Sequence, residues 1–320
     1  VGKIRYERWA FRRGGVRYSL KTLWTSGKLL LRDTIIEGEL VNEGPLRIGA
    51  GREPPLESIA DLAVIRIKHD GVAKPYIPGS SIKGVFRSSA GSLLSLKNPK
   101  VTPCDGLSKS NCPEAKFITI SGEQIRLASY IERCLRDGVT EEAMEVFFKE
   151  ACLLCKVFGA PHYAGRVSFS DSYPISTYTL GTRTGIAIDR KTGAVYKHAL
   201  YTVEYVEPGA IFSFKIHARN LPNYVLGLLA AIIRRMNEGE VKIGGFKSRG
   251  FGKVKIEKLR LMNKDGGSKE LILPSLEEGV DMEVRAEGLA KLKDGWLVSE
   301  GGECQLLLKR LEEVWEAAKL

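Results

Sequence analysis

Histidine is scarce, with four in 320 residues, at positions 69, 162, 198 and 217, and none beyond His217. Their spacing makes neither a catalytic triad nor a metal set, so each is read as structural or exposed. Acid–base chemistry resting on histidine near the C-terminal third is thereby disfavoured. Long apolar runs are missing too. Without about 18 or more consecutive apolar residues the chain has no helix to cross a membrane, and the N-terminal stretch GKIRYERWAFRRGGVRY is basic with no apolar signal core. These two absences predict a cytoplasmic protein with no membrane partner. Acidic residues are in deficit, 38 against 49 lysines and arginines, which gives a formal net charge of +11. Such an excess favours a polyanion, either nucleic acid or an anionic membrane surface. No strongly amphipathic basic helix stands out, so nucleic acid leads.

Glycine is plentiful, with 34 residues. The densest use is Ile243 to Val254, IGGFKSRGFGKV, where Gly244, Gly245, Gly250 and Gly252 surround Lys247, Ser248 and Arg249. Glycines let a backbone take positive φ and approach a partner closely. Lysine and arginine in one loop favour an anion. Two readings stand at this point: a phosphate-binding loop, or a flexible basic turn between a helix and a strand.

Hydrophobic residues make up 43% of the chain, enough for one elaborated domain or two smaller ones. From Thr34 to Val41, Ile36, Gly38 and Leu40 alternate with Glu37 and Glu39, as in a half-buried strand. After a glycine- and proline-rich loop and the apolar segment LAVIRI, PYIPGSS leads into a helix. Its Ile82, Val85, Phe86, Ser89, Leu93 and Leu94 form one face, with Lys83 and Arg87 on another. Residues 99–160 read as an insertion with helices from about Gln124 to Arg136 and from Glu141 to about Val157, the second capped by Thr140. A strand at Arg166 to Asp171 follows, then a hairpin over residues 183–205 with Lys191, Thr192 and Gly193 at its tip. The strand IFSFKIHA, the helix LPNYVLGLLAAIIRRM and a strand through Val254, Ile256, Leu259 and Leu261, with a register change near Glu257, complete the set.

Without the insertions the order is strand, helix, strand, strand, helix, strand. That is an α+β plan of the ferredoxin-like (RRM-like) βαββαβ type, a four-stranded antiparallel sheet with both helices on one face. It spans 29–262, preceded by a basic segment 1–28. A polar linker and a C-terminal extension over 263–320, ending in a helix, follow it. In this plan the loops make an elongated surface. Lys83 and Arg87, Ser80 in the GSS turn at the helix start, and the glycine loop can converge there, since backbone N–H groups at a helix start bind phosphate. Arg47, beside Gly49 and Gly51, is a further cation. For all of these an ordinary solvated surface is the simple alternative.

Six cysteines in a cytoplasmic chain do not suggest a disulfide framework, so their spacing is read for metal. Cys152 and Cys155 form a C-x-x-C at a helix end. Cys104 and Cys112 lie about 40 residues earlier with seven residues between them, looser than an ordinary zinc knuckle. Four thiolates suit tetrahedral zinc. Free buried thiols, or His162 replacing one ligand, are the alternatives. Cys134 and Cys304 read as core.

Four segments, PYIPGSSIKGVFRSSA, CLLCKVFGAPHYAGRVSFSDSYP, RTGIAIDRKTGAVYKHALYTVEYVEPGAIFSFKI and IGGFKSRGFGKV, occur in this order. Together they resemble the RAMP superfamily of CRISPR systems, and within it the repeated backbone subunit of type III effector complexes. The resemblance implies a protein that polymerises along a guide RNA with other subunits, holding the RNA backbone in a ferredoxin-like palm and displacing nucleotides of the guide–target duplex with a hairpin thumb. It assigns guide contacts to Arg47, Ser80, Lys83, Arg87, Lys247, Ser248 and Arg249, and places the thumb from Arg183 to Tyr205. Similar cysteines occur in the family's insertion, where zinc would fasten a lid to the palm. In the cleaving branch an aspartate after the first strand cuts target RNA with a divalent ion. Ile59-Ala60-Asp61-Leu62-Ala63-Val64-Ile65 resembles that pattern with one extra residue, which makes Asp61 the catalytic candidate and Mg²⁺ its cofactor. A loop cap or surface charge is the alternative for Asp61. Relatives often carry histidine where this chain has Arg47. A non-catalytic RNA scaffold, or a processing endonuclease of the same superfamily, remains the rival function.

Overall fold

The computed structural model describes residues 12–13, 16–17, 23–25, 29–49, 60–69, 71–120, 122–266 and 270–320. Most of the basic segment 1–28, together with Gly51, Ile59 and residues 267–269 of the expected linker, lies outside the described residues.

The chain folds as a mixed α+β protein built on antiparallel strands. Among the described residues its main sheet has six strands in place of the four expected. Strand β1 (Arg32–Asn42) pairs on one side with β5 (Ile211–Arg219), which pairs in turn with β2 (Val167–Phe169). On its other side β1 pairs with β6 (Val254–Asp265), followed by β8 (Trp296–Glu300) and β7 (Lys291–Lys293) at the edge. The order across the sheet is β7-β8-β6-β1-β5-β2.

Alternation explains which face is covered. Ile36 and Leu40 of β1, Phe212, Phe214 and Ile216 of β5, and Ile256 and Leu261 of β6 are buried on one side. They share a core with helix α1 (Gly79–Lys97) and helix α5 (Asn223–Asn237). Phe86 of α1 lies 4.9 Å from Phe169 and 6.4 Å from Phe214, centroid to centroid. Helix α5 is buried nearly all round because helix α6 (Gly301–Ala317) covers its outer side. A Cβ on Gly227 would collide with the carbonyl of Leu311, so this glycine sets how closely the two helices cross.

Strands β7 and β8 and helix α6, all beyond residue 262, are therefore part of this sheet and core. Strand β6 runs on to Asp265 through what the sequence suggested was linker. Buried Arg32 ties the parts together. Its guanidinium donates to Asp265 at 2.6 Å, to Asn223 Oδ1 at 2.6 Å, and to the carbonyls of Leu221 and Pro274. The expected register change is present as a bulge between Glu257 and Arg260, with Lys258 at φ +47°. Gly38 lies opposite, where a Cβ would come within 2.7 Å of the Glu257 carbonyl.

The insertion differs from expectation in two places. Residues 123–126 form a strand of a small hairpin, and helix α2 (Leu127–Arg136) starts after it. The second expected helix is two: α3 (Thr140–Glu150), with Val139 in the cap position instead of Thr140, and α4 (Leu153–Phe158). Extended backbone at Ala151 breaks them apart, and the Cys152 amide then donates to Cys112 Sγ at 3.3 Å. Strands β3 (Leu180–Ile188) and β4 (Val195–Val206) form a long hairpin separate from the main sheet. Its turn is closed by Asp189, whose carboxylate accepts from the Lys191 amide at 2.7 Å.

Candidate nucleic-acid interface and metal centre

The glycine loop is held against the segment that follows β1. Gly244 (φ +84°) donates no side chain where a Cβ would strike the Arg47 carbonyl, and the Gly245 amide donates to that same carbonyl at 2.9 Å. At the other end the Gly252 amide donates to Pro45 O at 2.8 Å. Both ends of the loop are thus pinned by close backbone approach, and Lys247, Ser248 and Arg249 form an exposed helical turn between them.

Rings surround that turn. The Phe246 ring has the Arg47 guanidinium 5.5 Å from its centroid and the Arg249 guanidinium at 5.4 Å. Tyr201, from the base of the hairpin, stacks on Phe246 at 6.4 Å, and its hydroxyl accepts from Arg249 Nη1 at 2.6 Å. Phe251 stands edge-on to Tyr205, and Arg183 lies 5.1 Å from Phe251 and 5.7 Å from Tyr205. Four basic residues, Arg47, Arg183, Lys247 and Arg249, have no ion pair with a carboxylate among the described residues. Burial pushes the Arg47 guanidinium down, a cost that a bound anion would offset. Sequence reasoning found these cations but missed Phe246, Phe251, Tyr201 and Tyr205. For the two phenylalanines the signal was the Gly-Phe pair, which occurs twice in the loop.

Asp61 adjoins this cluster. Its exposed carboxylate accepts from the Thr202 amide at 2.7 Å, the residue after Tyr201. The next residue, Leu62, exchanges backbone hydrogen bonds with β4 and offers its carbonyl to Arg47 Nε at 3.3 Å. Asp61 and Arg47 are therefore fixed to one short stretch at the hairpin base.

The contacts expected on α1 divide. Ser80 is exposed at the helix start, but the adjoining Gly79 amide already donates to Asp171 at 2.7 Å. Part of the helix-terminal anion site is thus filled by the chain's own carboxylate. Lys83 is half-buried and pushed down by burial and by neighbouring Arg87. Lys247 and Ser248 line an open groove with Val85, Ser88, Ser89 and Ser92 of α1. Arg87 points the other way, toward the cysteines.

Cys104, Cys112, Cys152 and Cys155 bring their sulfurs within 4.8 Å of one another, a group able to hold a metal ion. Cys104 Sγ lies 3.2 Å from Cys155 Sγ and 3.6 Å from Cys152 Sγ. Hydrogen bonding divides the four. Cys104 is pushed down to about 6, chiefly by Cys112, and Cys152 is held low by Cys104, Cys112 and Cys155. Cys112 and Cys155 are pushed up as the proton-holding partners. His162 is instead 3.2 Å from Glu132, and Cys134 and Cys304 are buried in the core.

A model of the RAMP superfamily matches residues 39–255, more than half of the sequence. The chain belongs to that superfamily. Membership gives a CRISPR-associated, RNA-binding role, and the matched residues take in both the glycine loop and the hairpin. No curated protein matches the chain. Among the described residues no helix is long and apolar enough to cross a membrane.

Proposed function

We propose that this RAMP protein is a backbone subunit of a type III CRISPR effector complex. It holds the guide RNA by its backbone, assembles along it with further copies of itself and other subunits, and cuts the paired target RNA through Asp61. The observation that carries the reading is the set of cations beside Asp61: Arg47, Arg183 and Arg249 lie over rings, Lys247 is exposed on the same loop, and none of the four has a carboxylate partner among the described residues. Guanidinium and ammonium groups bind phosphate without reading sequence, and aromatic faces accept any base. On this reading strands β6-β1-β5-β2, with α1 and α5, are a ferredoxin-like palm over 29–262. Residues 99–160 are its lid, the β3–β4 hairpin is the thumb, 1–28 is a basic lead-in, and 263–320 is an extension. Ser80, Lys83, Ser248 and the loop cations line the guide's path.

Two ions belong to the proposal. Zinc suits the cysteine group, because Zn–S bonds of about 2.3 Å in a tetrahedron set sulfurs about 3.8 Å apart, close to the 3.2 and 3.6 Å separations here. It would fasten the lid to α1. Asp61 has one carboxylate oxygen engaged by the Thr202 amide, and one carboxylate with RNA phosphates is an ordinary Mg²⁺ set. Mg²⁺ there would offset charge on the phosphate attacked by the neighbouring 2′-hydroxyl. The chain's own part is to aim Asp61 through the Thr202 amide and to present the Arg47 guanidinium alongside.

A non-catalytic scaffold is the second reading, favoured by the fact that among the described residues Asp61 joins no group of three potential ligands. A histidine-based processing endonuclease fits less well. His217 pairs with Asp33, while the glycine loop enters β6 opposite Asn42 at the other end of β1. The two sites are separated by about 30 Å at roughly 3.3 Å per strand residue.

The test is cleavage of a complementary target RNA with Mg²⁺ by the chain assembled on its guide, comparing wild type with Asp61→Ala. Regularly spaced cuts that vanish in the variant are expected. Equal cutting by both would put the chemistry elsewhere, and assembly with no cuts in either would leave the scaffold.

A further inference from the structure

Arg87 is placed by sequence on the basic face of a helix, yet its guanidinium does not face the groove that Lys247 and Ser248 line. Its Nη2 lies 3.5 Å from Cys155 Sγ and 3.6 Å from Cys104 Sγ, and its Nη1 donates to Gly159 O at 3.0 Å. Gly106 makes room for it. This residue, two beyond Cys104, has φ +77°, and a Cβ there would collide with the Arg87 guanidinium.

The charge arithmetic explains such a seat. Four thiolates and one divalent ion leave two negative charges in a partly dry pocket, and burying unbalanced charge is costly. A guanidinium at N–H···S distance removes one of them and orients the sulfurs, as outer partners of metal ligands do. Lys156, next to Cys155, also feels Cys152 and Cys112, but its ammonium lies 4.1 Å from the centroid of the Phe148 ring and makes no hydrogen bond to a sulfur among the described residues. Asp105, beside Cys104, is near enough to feel the Arg87 charge, but its carboxylate accepts from the Leu107 amide at 2.9 Å and from the Ser110 hydroxyl and makes no hydrogen bond to the guanidinium among the described residues.

We infer that Arg87 is the outer-sphere cation of a four-cysteine metal centre, and that it links that centre to α1 instead of contacting RNA. The inference rests on the cysteines holding a metal. It has a consequence for assembly: the lid is secured to the helix behind the RNA groove by a charge pair as well as by packing.

The experiment is zinc binding by the full chain, read by competition with a chromophoric chelator, for wild type, Arg87→Gln, Arg87→Lys and Gly106→Asn. Asparagine tolerates positive φ, so Gly106→Asn evicts the guanidinium while leaving every ligand and charge in the sequence. Wild type is expected to bind one zinc. Arg87→Gln and Gly106→Asn should each lose about tenfold or more in zinc affinity, the usual cost of removing an outer partner, and Arg87→Lys should recover part of it. Zinc-loaded Arg87→Gln should bind single-stranded RNA within about twofold of wild type, since no phosphate contact has been removed. Unchanged zinc affinity in both Arg87→Gln and Gly106→Asn overturns the inference, as does a large loss of RNA binding with zinc retained. Absence of zinc binding in wild type overturns the metal centre itself and the inference with it.

Discussion

Two regions of the molecule, the open face of the sheet and the glycine loop with the hairpin, use positive charge in opposite ways. On the side away from the helices, cations are matched to carboxylates across the strands. Lys215, Glu37, Arg260 and Glu300 form one row in register, with Arg260 Nη1 3.3 Å from Glu37, and Lys258 reaches Glu39 at 2.9 Å. Around the glycine loop and hairpin base, Arg47, Arg183 and Arg249 are matched to Phe246, Phe251 and Tyr205. A carboxylate neutralises a cation, whereas a ring leaves its charge available. The net charge of +11 thus does not separate the two regions, whereas the pairing does.

A third environment, the interior, calibrates that difference. Arg32 has every part of its guanidinium engaged and none of it exposed. Asp265→Ala would leave that charge buried without its carboxylate. A loss of about 3–5 kcal/mol in unfolding free energy is expected, measured by denaturant titration. A loss below 1 kcal/mol would mean that the interior and the surface handle arginine alike.

Next in size is the loop. Lys247→Ala with Arg249→Ala should weaken single-stranded RNA binding by about tenfold at low salt and flatten the log–log salt dependence by about 0.7 for each phosphate contact removed. Phe246→Ala should cost about 1–3 kcal/mol of RNA affinity if a base stacks there, and should do so at high salt as well as low. A Phe246→Ala effect that disappears at high salt would mean the ring serves only to hold the two guanidiniums. The smallest expected effect is on the opposite face. Lys258→Ala should change stability by less than about 1 kcal/mol, as exposed pairs do, and should leave RNA affinity unchanged.

Much of the scaffold was legible because it is amphipathic. The alternation in β1 and β5, the apolar stripe of α5 and the break near Glu257 each follow from which side chains must be buried and which must not. Cys-x-x-C and its distant partners were legible as a group because thiolates have few other uses at that spacing. What could not be read was direction. Nothing in the spacing of Lys83 and Arg87 says that Arg87 turns to sulfur, since that depends on the space at Gly106 and on the chain break at Ala151. Phe246 and Tyr201 lie 45 residues apart and meet only because the hairpin returns to the loop. The strands near the C-terminus were too short to show a period, and their place in the sheet is set by β6 continuing to Asp265.

The most direct test of the comparison is RNA affinity across a salt series for three proteins: wild type, Lys247→Ala with Arg249→Ala, and Lys215→Ala with Lys258→Ala. Each double variant removes two positive charges, so any difference reports location and not net charge. The glycine-loop variant is predicted to lose both affinity and salt slope, with the sheet-face variant close to wild type. Equal losses in the two variants would contradict the account, because positive charge would then act as a diffuse field and not through the ring-flanked site.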